Sequence, residues 1–268
     1  MLKDITLGQY FPGSTVAHRL DPRTKILLVV LYIVALFTAK GAAGYLVMAA
    51  TLSVCVRISR VPLRSLVRGL KPVLFIIIFT AVLNLFFTPA EEYLFQWGFL
   101  RVSESGLRNA FFMVVRIMLL IMGTFLMTYT TSPISLTDGL ERLLNWMKRL
   151  HVPVHELAMM MSIALRFIPT LIEETDKIMS AQKARGADFE SGNLIQKAKA
   201  MLPILVPLFI SAFRRADELA TAMECRCYHG GEGRTKLHVL QYQRRDYIAL
   251  TLGAAILAVV ILLRRLGI

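Results

Sequence analysis

The chain has 268 residues, of which 56% are hydrophobic and 18% are charged, and its mean hydropathy is +0.57. Soluble domains average about 45–50% apolar and about 25% charged residues, so this composition indicates a membrane protein and argues against a water-soluble enzyme. The formal charge of +13 would suit nucleic acid, but its distribution along the chain indicates a membrane surface instead.

The first half of the chain contains apolar blocks long enough to cross a bilayer. Residues 26–56 carry one charge, Lys40 beside Gly41, and this length predicts two short helices that turn near these residues. A basic stretch follows and separates this block from the next. Its cations are Arg57, Arg60, Arg64, Arg68 and Lys71, with no acidic residue among them. Such a cluster is typical of a cytoplasmic loop.

Two further apolar blocks cover residues 73–87 and 110–131. The segment between them combines acidic and aromatic residues, which predicts an outer interface with an aromatic belt of Tyr93, Phe95, Trp97 and Phe99. Within these blocks two polar residues stand out. Arg116 is a functional candidate by its position, although we favour a structural role in which it snorkels or caps carbonyl groups of a neighbouring helix. Asn84 is expected to make a hydrogen bond between helices.

The last apolar run, residues 247–263, is just long enough to cross. Counting the blocks predicts about five transmembrane helices, with the N-terminus inside and the C-terminus outside. This topology places Arg264 and Arg265 on the outer side, against the positive-inside rule, so the orientation of this final segment is the weakest part of the topology.

Residues 132–244 differ in character, because charged residues of both signs are interspersed with apolar ones. We predict an amphipathic helix at about residues 135–150, with a stripe of Leu136, Leu140, Leu143, Leu144 and Met147. Two longer helices follow at about 155–185 and 193–228, loosened by internal prolines. The predicted fold is therefore all-α and polytopic. It divides into transmembrane helices in 1–131, a cytoplasmic module of long coupling helices in 132–244, and a C-terminal transmembrane helix in 245–268.

The two long helices end in an internal repeat. Residues 176–186 align without a gap on residues 217–227, each 41 positions later. Asp, an aliphatic residue, Ala, a small residue and Arg recur in register. The aliphatic residue, Ala and the small residue fall at i, i+3 and i+6, on one narrow helix face where another backbone could approach closely.

An arginine in a last helical turn commonly complements the helix dipole, worth about 0.3–1 kcal/mol, with glycine as the terminating residue. That account explains each end separately but not the identical spacing on two helices. We therefore predict a paired docking site for a partner with two equivalent pockets. The docking residues are Ala184, Arg185, Gly186, Cys225, Arg226 and Cys227, and the close-packing face contains Ala181 and Ala222.

Several motifs together resemble one family. They are Ala184-Arg185-Gly186, Cys225-Arg226-Cys227, the segment Tyr228-His229-Gly230-Gly231-Glu232-Gly233-Arg234-Thr235, Pro12-Gly13-Ser14, and His18-Arg19-Leu20-Asp21-Pro22-Arg23-Thr24-Lys25. In this order they are similar to the transmembrane T component of energy-coupling factor vitamin transporters. That family includes the membrane subunit of the cobalt transporter. The resemblance extends over nearly the whole chain.

The resemblance implies a non-catalytic subunit that joins two cytoplasmic ABC-type ATPases to a separate membrane subunit that captures the vitamin. Two coupling helices would cross beneath the membrane, and the arginine of each Ala-Arg-Gly-like motif would enter a groove on one ATPase. These roles fall to Arg185 and Arg226. The chain departs from the motif at Cys225 and Cys227, and Cys227 puts the local backbone conformation in doubt.

The residues agree that ATP is hydrolysed elsewhere, because the sequence has no Gly-x-x-x-x-Gly-Lys-Ser/Thr phosphate loop. We predict no cofactor and no metal site. Pro153 separates His151 from His155, and the group of Cys225, Cys227 and His229 lacks the second ligand pair of a structural zinc site. A self-contained channel or secondary transporter remains the alternative, although polar residues within the predicted spans are few.

Overall fold

The structure, a computed structural model, describes residues 10–87, 95–97, 100–189, 193–230 and 239–266. Regular structure in these residues is helical apart from a short antiparallel hairpin of β1 (Phe95–Trp97) and β2 (Leu100–Val102). The helices are α1 (Val16–Arg19), α2 (Pro22–Thr38), α3 (Ala42–Ser59), α4 (Leu63–Leu70), α5 (Leu74–Phe87), α6 (Glu104–Thr130), α7 (Pro133–Leu144), α8 (Val154–Ala184), α9 (Leu194–Cys225) and α10 (Arg244–Arg265). The predicted all-α, polytopic class is confirmed.

Six helical stretches of the described residues are long and apolar enough to cross a membrane. They are Ala42–Ser59, Leu63–Phe86, Glu104–Thr130, Val154–Ala184, Ile195–Cys225 and Arg244–Arg265. The prediction of about five spans counted α2, which has 17 residues, and did not count the two long helices α8 and α9. The turn predicted near Lys40 and Gly41 is confirmed, because α2 ends at Thr38 and α3 begins at Ala42.

Two segments differ from the prediction. The basic stretch after α3 is not a simple loop, since Leu63–Leu70 forms the amphipathic helix α4, which buries Leu66 and Leu70. The helix expected at about 135–150 ends at Leu144 and continues as a 3₁₀ segment, Asn145–Leu150. The side chains of the predicted aromatic belt lie outside the described residues.

By Cα packing the chain divides into two units. One contains Leu140–Val239, with α8 and α9, and the other contains Gly8–Gly139 and Leu240–Ile268. The core of the second unit joins α2, α3, α4, α6 and α10 through fully buried side chains such as Leu36, Met48, Leu66 and Val260. Gly123 lets Tyr32 lie directly against α6, where the phenol donates to the carbonyl of Leu119 at 3.0 Å.

Intramembrane polar side chains in this unit join helices. The Arg116 guanidinium donates to the Tyr45 hydroxyl and, at 3.4 Å, to the carbonyl of Ala39, the residue that follows α2. This contact confirms the structural role favoured for Arg116, which caps a neighbouring helix. Asn84 on α5 also makes the expected contact between helices, with the sulfur of Met113 on α6 at 2.8 Å.

A polar junction holds the start of α2. Asp21 is the N-cap of α2 and accepts from the Arg23 amide at 2.9 Å, with Pro22 in the first turn. The Lys25 amine donates to the carbonyl of Thr130, the last residue of α6, at 2.8 Å. Asp246 of α10, which is 1% exposed, accepts from the Asp21 amide at 2.8 Å. This junction therefore joins the starts of α2 and α10 to the end of α6.

Asp246→Ala should destabilise this junction. The aspartate also accepts from the Gln243 amide at 2.8 Å, so the substitution removes the acceptor for two backbone N–H groups. A buried donor left without a partner costs about 1–3 kcal/mol. The unfolding temperature of the detergent-solubilised variant should be lower than that of the wild-type protein. Asp246→Asn keeps one acceptor oxygen, so its unfolding temperature should lie between those of the wild-type protein and of Asp246→Ala. Equal melting temperatures for all three proteins would contradict the role of Asp246.

Candidate docking site at the ends of the long helices

The two long helices of the repeat form close to the predicted positions. Helix α8 covers Val154–Ala184 and α9 covers Leu194–Cys225, against predictions of about 155–185 and 193–228. Both contain the internal prolines that the sequence predicted, which are Pro169, Pro203 and Pro207. A capping box starts α9, because the Asn193 side chain accepts from the third backbone amide of the helix while the Gln196 side chain accepts from the Asn193 amide.

Helix α8 ends in a Schellman motif. The Gly186 amide donates to the Lys183 carbonyl at 3.0 Å, and the Ala187 amide donates to the Gln182 carbonyl at 3.0 Å. Gly186 follows the C-cap residue Arg185 and has a φ of 87°, in the left-handed region. A Cβ atom built on Gly186 would meet nothing within 4 Å, so glycine is favoured here by backbone conformation and not by lack of space.

Helix α9 ends in the same motif with different residues. The Cys227 amide donates to the Glu224 carbonyl at 2.8 Å, and the Tyr228 amide donates to the Met223 carbonyl at 3.0 Å. Cys227 has a φ of 57° and follows the C-cap residue Arg226. The cysteine therefore adopts the left-handed conformation that its glycine counterpart adopts in α8. The departure from the glycine of the motif leaves the backbone path unchanged.

The two arginines occupy equivalent positions and are both exposed. Their backbone angles are similar, with φ and ψ of −86° and 5° for Arg185 and of −93° and 14° for Arg226. Because backbone amides satisfy the last carbonyl groups of each helix, the guanidinium groups are not needed as caps. Within the part of the chain that the structure describes, neither guanidinium donates a hydrogen bond. Both are thus available to a partner.

The neighbouring predicted residues are also accessible. Ala184, Gly186, Cys225 and Cys227 are exposed. The two alanines of the predicted close-packing face differ from each other, since Ala181 is exposed and Ala222 is half-buried. Residues 184–186 lie at the end of α8 and residues 225–227 lie at the end of α9, so each set of three predicted docking residues occupies one helix end.

The helices α8 and α9 cross next to an ion pair. The Arg215 guanidinium donates to Glu174 Oε2 at 2.6 Å, and both side chains are mostly buried, at 30% and 22% exposure. A second contact joins the Gln182 amide group to the Pro203 carbonyl at 3.4 Å. Gln182 lies after Glu174 in the chain, whereas Pro203 lies before Arg215. The helices therefore run in opposite directions along their contact, and their two C-terminal ends lie on opposite sides of the crossing.

The ion pair joins equivalent positions of the repeat, because Arg215 lies 41 residues after Glu174. At a crossing with approximate twofold symmetry, equivalent residues face each other, and like charges there would repel. The chain avoids this conflict by carrying Glu173 and Glu174 on one helix and Arg214 and Arg215 on the other. The sequence reasoning missed this pair, although extending the repeat alignment towards the N-terminus would have revealed the opposite charges.

A stripe of exposed apolar side chains precedes the ion pair on α9. Its members follow helical spacing and are 43–70% exposed; they are Leu202, Leu205, Val206, Phe209, Ile210 and Phe213. We refer to these residues as the α9 stripe. Contiguous exposed apolar patches mark contacts with proteins or membranes. On the stripe predicted for residues 135–150, by contrast, Leu140 is exposed and the other four residues are half-buried.

A match to the CbiQ family, described as a cobalt transport protein, covers residues 13–237. The chain belongs to this family. An energy-coupling factor transporter transmembrane protein, EcfT, of Clostridium kluyveri is 55% identical over 267 residues, which cover 99% of this chain and 98% of the relative. Proteins of the same description in Bacillus subtilis and Lactococcus lactis are 50% and 42% identical, over 92% and 98% of this chain and 93% and 98% of each relative.

Membership in the CbiQ family confirms the resemblance found in the sequence motifs. It also confirms the predicted class, a non-catalytic, multi-pass membrane protein of the energy-coupling factor transporter type. The matched region includes both long helices and their arginine-tipped ends.

Gly186→Ala should loosen the end of α8, because an L-residue in the left-handed region is disfavoured by about 1–2 kcal/mol. Amide hydrogen exchange at Gly186 and Ala187 should accelerate by roughly five- to thirtyfold. Cys227→Ala is the matched control, since it replaces one non-glycine residue by another and should leave exchange at Tyr228 nearly unchanged. Unaltered exchange in the Gly186→Ala variant would show that the α8 end does not depend on its left-handed residue.

Proposed function

We propose that this chain is the coupling subunit of an energy-coupling factor importer for vitamins. In this proposal it joins two cytoplasmic ATPase subunits to a separate membrane subunit that captures the vitamin. The observation that carries the proposal is the pair of matched helix ends. Each presents an exposed arginine at the C-cap position of the same backbone motif and at the same position of the repeat. Neither arginine side chain caps its helix.

Two equivalent ends suit two equivalent partners. From Glu174 to Arg185, and equally from Arg215 to Arg226, each helix arm spans about 16 Å at 1.5 Å per residue. The arms extend in opposite directions from the crossing, so two ATPase subunits would each receive one arginine without competing for the same space. Arginine suits such a role because its planar group forms several hydrogen bonds and is enriched at interface hot spots.

The chain needs these partners because it lacks a site for ATP hydrolysis of its own. Its sequence contains no phosphate loop, and the glycines at 230, 231 and 233 lack the lysine and the spacing of one. Nucleotide-driven closure of the ATPase pair would bring the two helix ends to new relative positions. Because α8 and α9 are joined at the Glu174–Arg215 pair, a displacement of either end would be transmitted through the crossing.

The α9 stripe is the proposed surface for the capture subunit. It lies on the same helix as Arg226 and would move with that helix end. Phenylalanine and aliphatic side chains provide large contact areas without specific polar partners. The exposed Met160 and Met161 of α8 add flexible apolar surface of a kind that adapts to different partners.

In the proposed topology the two long helices lie on the cytoplasmic side, where ATP is available. The basic segment formed by the end of α3 and by α4 supports this orientation for the membrane helices, because its exposed cations follow the positive-inside rule. The coupling module would then cover residues 132–244, between membrane segments at 1–131 and 245–268.

Reversing both arginine charges should prevent ATPase docking. In Arg185→Glu/Arg226→Glu, each pocket would meet a carboxylate in place of a guanidinium, and loss of one hot-spot arginine costs roughly tenfold or more in affinity. The amount of ATPase that copurifies with the tagged chain should fall to background, with membrane insertion intact. Lys197→Glu/Lys199→Glu, on exposed positions near the start of α9 and far from both arginines in sequence, is the control with the same change in charge. Wild-type recovery of both ATPases by the arginine variant would refute the docking assignment.

Reversing one charge at the crossing should uncouple transport from ATP hydrolysis. Glu174→Arg or Arg215→Glu would place like charges opposite each other, whereas the double variant restores an opposite pair. We expect the vitamin transported per ATP hydrolysed in proteoliposomes to fall about fivefold in each single variant and to recover in the double variant, corresponding to a coupling energy on the order of 1 kcal/mol.

The adjacent residues Glu173 and Arg214 provide matched controls, because both are exposed and carry the same charges at the next repeat position. Glu173→Arg and Arg214→Glu should change the ratio of transport to hydrolysis less than twofold. A double variant at Glu174 and Arg215 that stays as impaired as the single variants would show that the ion pair does not hold the crossing.

A further inference from the structure

A groove of about 850 Å³ lies on the unit that contains α1, α2, α3, α6 and α10, and residues of these helices form its walls. The lining is almost entirely aliphatic, and part of it is openly accessible. Val54 of α3 and Ile248 and Leu252 of α10 line the groove and are 56–59% exposed. An occupant of this groove would need to be apolar along most of its length.

The charged groups of the groove lie at one end. Four of its lining residues belong to helix ends at the junction of α2, α3, α6 and α10; they are Lys25, Ser59, Thr130 and Arg245. The 2.8 Å contact between the Lys25 amine and the Thr130 carbonyl shows that the start of α2 and the end of α6 meet there. The Asp21–Asp246 contact adds the start of α10. The groove is therefore apolar along most of its length and charged at this end.

Arg245 is the cation at this end that remains available to a ligand. The Lys25 amine already donates to the carbonyls of His18 and Thr130, at 3.2 and 2.8 Å. Arg245 is exposed, and no described residue accepts a hydrogen bond from its guanidinium. Asp246 forms no ion pair with Arg245, because the two oxygens of this buried carboxylate accept from the amides of Asp21 and Gln243.

The surface around the end of α3 is also cationic. The groove is lined there by Ile58 and Ser59, and the arginines on either side of them, Arg57 and Arg60, are exposed. The next exposed cations are Arg64 and Arg68 of α4. Residues 57–71 contain no acid, so this rim of the groove attracts anions.

We propose that the groove binds an anionic glycerophospholipid. One acyl chain lies against the aliphatic side chains of α2, α3 and α10, and Arg245 holds the headgroup phosphate. A zwitterionic lipid would satisfy the apolar walls but would gain less from the cationic end. A protein helix would fill the groove but would leave Arg245 without an anion, unless it brought an acidic residue of its own.

Native mass spectrometry of the full-length protein in detergent, with added phosphatidylglycerol or phosphatidylcholine, tests this proposal. The wild-type protein should retain one phosphatidylglycerol in preference to phosphatidylcholine. Arg245→Gln should weaken phosphatidylglycerol binding by about fivefold, the effect expected for one cation at a lipid headgroup. Arg245→Lys should retain most of the preference.

Two further variants make the test specific. Arg244→Gln removes the neighbouring exposed arginine, which does not line the groove, and should change binding less than twofold. Ala50→Trp fills the groove from an exposed lining position and should weaken the binding of both lipids. Thermal unfolding confirms that each variant is folded. If Arg245→Gln unfolds early, Arg245→Met replaces it, and if Ala50→Trp unfolds early, Ala50→Phe replaces it.

Three outcomes would overturn the proposal. Equal retention of the two lipids would mean that the groove holds ordinary bilayer chains only. Equal losses for Arg244→Gln and Arg245→Gln would indicate diffuse attraction by surface charge. Unchanged lipid binding in Ala50→Trp, with reduced assembly of the transporter complex, would identify a protein helix as the occupant.

Discussion

Every helix end leaves backbone groups without partners inside the helix, and in an apolar surrounding each such group is costly. This constraint organises the polar residues of the membrane unit. The Lys25 amine serves the end of α6, and the Arg116 guanidinium serves the end of α2. At the N-terminal ends, Asp21 caps α2 while Asp246 binds the Asp21 amide. Arg116 within an apolar block, and Lys25 and Asp246 beside two others, are thus partners of backbone groups at the ends of other helices.

The same constraint is met differently at the ends of α8 and α9, where we propose that the ATPase subunits dock. There the backbone itself satisfies the last carbonyl groups, through amides that follow a left-handed residue. The arginine side chains have no capping task and extend outward from the helix ends. A helix that used Arg185 or Arg226 as its cap would have to give up that contact before the arginine could enter a partner. The Schellman ends remove this competition and leave both guanidinium groups ready to bind.

The crossing of α8 and α9 gives the two ends a fixed relation to each other. An antiparallel pair joined by Glu174 and Arg215 has arms of equal length, because Arg185 and Arg226 each lie 11 residues after the charged residue of the pair on the same helix. Exact twofold symmetry at this pair would place identical residues opposite each other, and a charged residue there would meet its own charge. The chain departs from symmetry at this point, with acids on one helix and arginines on the other. The two helix ends, by contrast, share the same backbone motif with an arginine at the same position, as two equivalent partners would require.

The sequence by itself determined the helical class, the turn at Lys40–Gly41, the two long helices and the repeat that ends in Arg185 and Arg226. These features depend on local periodicity, on turn residues and on spacing, all of which are written along the chain. Only the tertiary structure decided which helix ends the buried charges serve, that Cys227 takes the conformation of a glycine, and that the helices cross at an ion pair. Those contacts join residues far apart in sequence, and their energies depend on distances and burial that arise only when the helices pack.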